Sequence, residues 1–566
     1  MPIPHGIHNL VDLLDAAAAR RPSGIALRER GIHTTIEWTY ATWRVRTYQF
    51  ADWLREVGIT PGEPVALLLP NGRWWGTAFL AVLANDATVV PLDVRATARD
   101  IASIIRAAGV RTLICADTCR ALVAALAEHA VHIERLLWVE LAEDSSFAVM
   151  LATRTLSVLP RRALRHYPAV IIYTSGTTGD PKGVVLSHGN ILIDVYDLLA
   201  MLEISSHESF VSILPLNHAY ELTGGFVAPL ALAATITYVS ALRPDIILAA
   251  LHEARMSVMM VVPAFLRLFM ERIRAEGRRR LGRLFTVLHR LCYVAARLRM
   301  PLGRLLFWPV RRMISPAFKC FICGGAPVDP HLLWDFEALG LTVLQGYGLT
   351  ETAPVISVNT LRANRIGSVG RPVASVDLRI VPCEGARPGT GELWVRGSIV
   401  FREYYRNPHA TALAFHLDWF KTGDLVARDR RGFLYVVGRI KNIIVTEGGK
   451  NIYPEELEYA FAGLPGVKEF CIVGVREPGA GERPVAVLVP DREALARTHG
   501  ADHTAQDHAL KRAFAARAAQ LADYQRPKAV IIREDVPKTA TLKIKRSALR
   551  EELERAVRHS LQDQRL

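Results

Sequence analysis

Half of the chain's 566 residues are apolar and 22% are charged, a balance that supports several packed cores and excludes a disordered or fibrous chain. The formal net charge is +14, and twelve arginines against two acids between Glu271 and Arg312 account for ten of it. Basicity is therefore a property of one apolar-patterned segment, without the aromatic interleaving of a single-strand platform, and no nucleic-acid partner is expected.

The N-terminal segment MPIPHGIHNLVDLLDAAAARRP has no basic stretch followed by an apolar one, so no secretory signal is expected and the cytoplasm is the default location. Short β-branched apolar runs (PVALLL, TVVPL, TLIC, AVIIYTS, TITYVS, VMMVV) alternate with helix-like stretches such as Tyr40 to Val57 and Pro244 to Glu253. That alternation predicts an α/β architecture with mostly parallel sheets. The uncharged stretch Leu222 to Leu242 has the length of a membrane span but contains Gly224, Gly225, Pro229 and the run TITYV, so a buried helix followed by a buried strand is expected instead.

In the arginine-rich segment, Leu281, Leu284, Phe285, Leu288, Leu291, Ala295, Leu298, Leu302 and Leu305 recur at helical spacing, interleaved with Arg283, Arg290, Arg297 and Arg304. A basic amphipathic helix of this kind fits an anionic lipid surface, and it equally fits a core-facing helix with a solvated charged face. Among seven cysteines, the close pair Cys320 and Cys323 lacks a second pair to complete a zinc site, and reduced core thiols are expected. After about Gly370, short strands with Gly and Pro turns (VDLRIVP, GELWVRG, GFLYVVG) indicate a small β-rich unit. From Arg439 a strand, helix, strand pattern restarts. The expected division is 1–438, with the β-rich part at about 370–438, and a compact C-terminal α/β domain at 439–566.

The sharpest motif is YTSGTTGDPKGV, Tyr173 to Val184, which follows an apolar strand and precedes a helix-like segment beginning at Ser187. From Thr174 to Lys182, two glycines, four hydroxyls and a lysine after a strand suit a polyphosphate: backbone N–H groups converge, hydroxyls donate, and Lys182 supplies charge. It is not a Walker A loop, because Lys182 precedes Gly183 where that motif places Gly before Lys. Further on come GGAP at Gly324, QGYGLTET at Gln345, KTGDL at Lys421, GRIKNIIVTEGGKNIYPEELE at Gly438 and PKTATLKIKR near the end.

Taken together and in this order, these motifs resemble the adenylate-forming (AMP-binding) superfamily, most closely the bacterial long-chain fatty acyl-CoA synthetases, over essentially the full chain. The resemblance implies a large N-terminal domain of two mostly parallel, helix-flanked sheets plus a small β-barrel-like unit, and a smaller mobile C-terminal α/β domain. It implies that Thr174, Ser175, Gly176, Thr177, Thr178, Gly179 and Lys182 hold the ATP phosphates. Tyr347 with Gly348 and Thr350 would flank the adenine beside the Gly324, Gly325 and Ala326 turn. Glu351, with Thr174, would hold Mg²⁺, and Asp424 and Arg439 would grip the ribose. Lys543 would be the adenylation lysine, with Leu542 standing where glycine is frequent. Lys441 would be the hinge position, with Asn442 in place of a frequent acid, and Gly448 and Gly449 would approach the pantetheine arm.

PLNHAYELTGG, Pro215 to Gly225, resembles the segment lining the acyl pocket of the long-chain synthetases, with His218 beside the substrate carboxylate. The implied activity is activation of a carboxylic acid, a medium- or long-chain fatty acid, to an acyl adenylate, followed by transfer to the thiol of coenzyme A. Peripheral contact through 271–312 would then lie on the inner face of the membrane. A carrier protein presents the same phosphopantetheine thiol, so an acyl-AMP ligase loading such a carrier is the alternative acceptor reading. A non-enzymatic membrane-associated binding protein would not require Lys182, Glu351, Asp424, Arg439 and Lys543 together.

Overall fold

The computed structural model describes every residue except 1–2, 32–33, 143, 155–163, 175–180, 240–242, 384–385, 447–449, 462, 478–479, 539–543 and 564–566. It divides into two compact units, one comprising Met1–Asp377 and Arg396–Phe420, the other Leu378–Val395 and Lys421–Leu566.

The first unit is built on two sheets. Six strands run in the order Arg135–Val139, Thr112–Ala116, Pro64–Leu68, Thr88–Pro91, Pro168–Thr174 and Lys182–Ser187, parallel except for the last. Nine strands form the second sheet. Its parallel centre runs Val343–Gly348, Cys320–Cys323, Val258–Val261, Ser209–Ser212, Thr235–Val239 and Ile25–Arg30, and its edges are antiparallel. Runs such as VMMV and TLICA are buried at every position, as strands covered on both faces by helices must be. The helix Arg73–Ala84, RWWGTAFLAVLA, is buried along all of its faces and so acts as core rather than cover. Phe226 closes edge-on against Trp43, Trp75 and Phe79 there. A Cβ at Gly76 would lie 2.6 Å from its ring, so only glycine allows that approach.

The uncharged stretch from Leu222 begins as a buried helical run over Leu222–Val227 and Ala228–Leu232 and ends in the strand Thr235–Val239. No helix among the described residues is long and apolar enough to cross a membrane. Cys320 and Cys323 lie in one buried strand, where burial pushes both thiols up to about 12. No group of three or more His, Cys, Asp or Glu side chains among the described residues is placed to hold a metal.

One sequence expectation holds and one needs correction. The glycine-rich motif is followed by a helix at the expected place, its last residues forming the strand Lys182–Ser187 in which Val184, Val185 and Leu186 are buried. The helix His188–Leu202 starts only after Ser187, whose side chain caps it in a capping box with Asn190. The arginine-rich segment, by contrast, is not one stripe. It breaks into helices Pro263–Leu281, Arg283–Arg297, Leu302–Leu306 and Trp308–Ile314, the first break at Gly282 with φ +58°. Within the second of these, Phe285, Cys292, Ala295 and Ala296 are buried while Leu284 and Leu291, and Leu298 just after its end, are exposed.

In the second unit, the strands Trp419–Arg428 and Leu434–Arg439 pair antiparallel, with Thr390–Gly397 beside the first of them. These precede a three-stranded sheet of Val467–Glu477, Ala480–Pro490 and Ala529–Ile532. Alternation along these strands separates two cores. Ile472, Ala486 and Leu488 pack with Phe461 and Phe514 on one face, and Cys471, Val473, Val487 and Val489 pack with Leu549 and Leu553 on the other.

Candidate functional site

The two ends of the glycine-rich motif lie in paired antiparallel strands, Pro168–Thr174 and Lys182–Ser187. Thr174 stands opposite Lys182 and Tyr173 opposite Gly183, and Thr174 Oγ1 donates to the Lys182 carbonyl at 3.5 Å. Ser175, Gly176, Thr177, Thr178 and Gly179 lie outside the described residues. A Cβ at Gly183 would meet the Tyr173 ring at 2.8 Å, which explains the glycine after the lysine.

A second segment runs beside the strand Lys182–Ser187. The Val185 N–H donates to the Glu403 carbonyl at 3.2 Å, the Tyr405 N–H donates to the Gly183 carbonyl at 2.7 Å, and Val184 and Tyr404 form an antiparallel bridge. Tyr404 is thereby set between two of the predicted site residues. The Lys182 ammonium lies 5.3 Å from the centre of its ring, and its hydroxyl donates to Glu351 Oε1 at 2.8 Å. Burial, and then the charge of Glu351, push the Tyr404 hydroxyl well above its ordinary range, so it remains a neutral donor. Glu351 sits in the single turn Thr350–Thr352, and its carbonyl accepts from the Phe401 N–H at 2.8 Å. Lys182, with Thr174 opposite it on the neighbouring strand, and Glu351 are thus joined through Tyr404, a residue that sequence reasoning missed. The string FREYYRNP carries no periodic or motif signal that would have singled it out.

The Gly324, Gly325 and Ala326 turn and the Tyr347–Gly348 segment follow or end neighbouring parallel strands, Cys320–Cys323 and Val343–Gly348. The carboxyl ends of parallel strands are where open α/β sheets take their ligands. Gly325 has φ +81°. At Gly348 a Cβ would fall 1.7 Å from the Pro354 carbonyl oxygen, so no other residue fits.

His218 precedes the helical run that begins at Ala219. The residue is partly buried, its Nε2 is buried with no hydrogen-bond partner among the described residues, and burial holds its pKa below the ordinary value. One turn later Glu221 is completely buried. Ser212 Oγ donates to its Oε1 at 2.5 Å, its Oε2 has no partner among the described residues, and burial pushes it up to about 8. Sequence reading chose the histidine of this segment and passed over the glutamate, although an acid flanked by Tyr220 and Leu222 was already a sign of burial.

In the second unit, Asp424 and Arg439 face each other across adjacent strands, with Arg439 Nε 2.8 Å from Asp424 Oδ1 and the aspartate 2% exposed. The predicted ribose pair is therefore one preformed ion pair. Lys441 occupies the single turn Ile440–Asn442 directly after Arg439. Gly448, Gly449 and Lys543 lie outside the described residues. Lys538, the first lysine of the C-terminal motif, is engaged by Glu469 at 2.9 Å and Asp535 at 2.7 Å.

A family model described as AMP-binding enzyme matches residues 14–405, and one described as AMP-binding enzyme C-terminal domain matches residues 456–543. A long-chain-fatty-acid–CoA ligase of Mycobacterium tuberculosis is 27% identical over 92% of this chain and 94% of its own length. A feruloyl-CoA synthase of an Amycolatopsis species is 30% identical over 94% of this chain and 96% of its own. Among solved structures, ATP-bound MatB of Rhodopseudomonas palustris superposes with a TM-score of 0.78 at 25% identity, over 97% of this chain and 100% of that one.

Proposed function

This chain belongs to the AMP-binding enzyme family and is an AMP-forming acid–thiol ligase, and from that premise we propose that its acid is a medium- or long-chain fatty acid and its acceptor coenzyme A. One observation carries the reading of the ATP site: a cation, a neutral hydroxyl and a carboxylate (Lys182, Tyr404 and Glu351) held in one chain of contacts beside the hydroxyl-rich motif. The fatty acid class is supported by the long-chain ligase among the relatives and by the apolar segment around His218. The feruloyl enzyme marks an aryl acid as the competing outcome.

In the first step a substrate carboxylate oxygen bonds to the α-phosphorus of ATP as the bond to the bridging oxygen breaks and pyrophosphate leaves. The carboxylate is already a nucleophile, so the protein's work is alignment and relief of charge repulsion. Lys182 and the hydroxyls of the glycine-rich motif, Thr174 among them, would hold the phosphates, and Lys543 would meet charge developing at the α-phosphorus. Mg²⁺, when bound, would neutralise phosphate charge. Glu351 offers the carboxylate oxygen a hard cation takes, and the Tyr404 hydroxyl fixes that carboxylate's orientation. Gly324 to Ala326, Tyr347, Gly348 and Thr350 would take the adenine, and Asp424 and Arg439 the ribose. In the second step the thiolate adds to the acyl carbonyl and AMP leaves, with Lys441 as hinge and Gly448 and Gly449 beside the pantetheine arm, on a division near residue 438.

The membrane is where such an acid is met, and we place peripheral contact with the inner leaflet in the 271–312 segment. The test is ATP–pyrophosphate exchange with Mg²⁺ across short, medium and long fatty acids and aryl acids, with coenzyme A and carrier proteins then compared as acceptors. Exchange driven by medium or long fatty acids, lost in Lys543→Ala and reduced about tenfold in Tyr404→Phe, is the expected result. Exchange driven only by aryl acids overturns the substrate reading.

A further inference from the structure

The helix Pro454–Phe461 carries Glu455 and Glu458 on one face, and Arg546 reaches both. Its Nη1 donates to Glu455 Oε1 at 2.8 Å and its Nη2 donates to the Glu458 carboxylate. The same Glu455 Oε1 accepts from Asn442 Nδ2 at 2.7 Å, and Glu458 Oε1 accepts from the Ile472 N–H at 2.8 Å. A charge-assisted cluster with this much mutual contact is geometrically restrictive, since a guanidinium is planar and its donors are fixed relative to one another.

The chain positions of its members give the cluster its meaning. Arg546 follows Lys543 by three residues, and Asn442 directly follows Lys441. The stem on either side of Lys543 is also secured. Ile544 bridges to Lys538, the Lys545 N–H donates to the Pro537 carbonyl at 2.7 Å, and Lys538 is ion-paired to Glu469 and Asp535. An acid at 442 would face the Glu455 carboxylate as a like charge, whereas asparagine donates to it. The departure from the family pattern at this position therefore matches its neighbour.

We propose that Arg546 is a positioning residue that, through Glu455 and Glu458, ties the segment carrying Lys543 and the segment following Lys441 to one helix, so that hinge and adenylation lysine move as a single rigid piece. The proposal rests on the role of Lys543 given above. Losing the clamp then weakens the half-reaction that needs Lys543 and spares the one that does not.

The experiment uses the full chain with Arg546→Met, Arg546→Lys and the near-isosteric Glu458→Gln, the last serving if the methionine variant fails to fold. Pyrophosphate exchange is measured separately from thioester formation starting with presynthesised acyl adenylate and coenzyme A. Exchange is expected to fall about 100-fold in Arg546→Met, the cost of a misplaced catalytic group, while thioester formation from the adenylate changes less than about 3-fold and Arg546→Lys recovers part of the exchange. Equal loss in both half-reactions would reduce the cluster to a fold-stabilising one, and unchanged exchange would remove the clamp altogether. Full exchange in Lys543→Ala would instead sink the premise about that lysine, a failure distinguishable from the other two.

Discussion

At Tyr404 one side chain joins Lys182, whose ammonium lies over its ring, to Glu351, whose carboxylate accepts from its hydroxyl. Nothing in its own neighbourhood of sequence announces it. Lys182 and Glu351 stand out in sequence because their motifs are dense in chemistry-bearing residue types; Tyr404 meets them only when the chain returns alongside the strand Lys182–Ser187. Asp424 and Arg439 were legible individually, but their direct pairing was not, because cross-strand register depends on the turn between the strands.

Glu221 makes a residue-scale prediction with a definite sign. Its folded-state pKa is about 8 against an ordinary value of 4.5, raised by burial, so the folded protein holds a proton that the unfolded chain releases. Stability from this group is full below about pH 4.5 and is lost progressively as pH rises to about 8. Glu221→Gln should therefore melt progressively higher than the parent across that window and lead by a constant margin above it. Thermal melts from pH 4 upward would check this on the order of whole degrees, and a margin that does not change with pH would contradict it.

At the scale of elements, the parallel strands and the buried run after Leu222 could be read directly, because continuous β-branched apolar runs have few other uses. The arginine-rich segment could be read only as amphipathic. Composition does not say which apolar residues a helix turns toward the core. In the helix Arg283–Arg297 and its end, Leu284, Val287, Leu291, Val294 and Leu298 are each more than half exposed, on a spacing of three and four. Arg283, Arg290 and Arg297 line one edge of this face, and no acid lies within the helix. Pairing antiparallel with a second copy would set those arginine edges against each other, whereas an anionic lipid surface takes both the arginines and the apolar side chains. Val287→Glu with Leu291→Glu should lower sedimentation with phosphatidylglycerol-containing vesicles at least about tenfold, given about 1 kcal/mol per basic residue and more per buried apolar side chain. Exchange activity on a dispersed fatty acid should be unchanged. Equal binding of parent and variant would assign the face to something other than lipid.

For the molecule as a whole, the residues proposed for the reaction are divided between the two units. The first carries the glycine-rich motif, Glu351, Tyr404 and the Gly324 and Tyr347 segments; the second carries Asp424, Arg439 and the Arg546 cluster. By compactness, 378–395 and 421–438 group with the C-terminal residues. Strands separated in sequence can share one sheet, and pairing partners are the feature a linear reading sees least well. The central claim is that a carboxylate attacks the α-phosphorus of ATP. The most direct test uses a fatty acid labelled with ¹⁸O in its carboxylate, turned over with ATP, Mg²⁺ and coenzyme A, followed by mass analysis of the nucleotide and phosphate products. AMP carrying the label, with unlabelled pyrophosphate, is the predicted result; label appearing in inorganic phosphate with ADP formed, or AMP free of label, would contradict it.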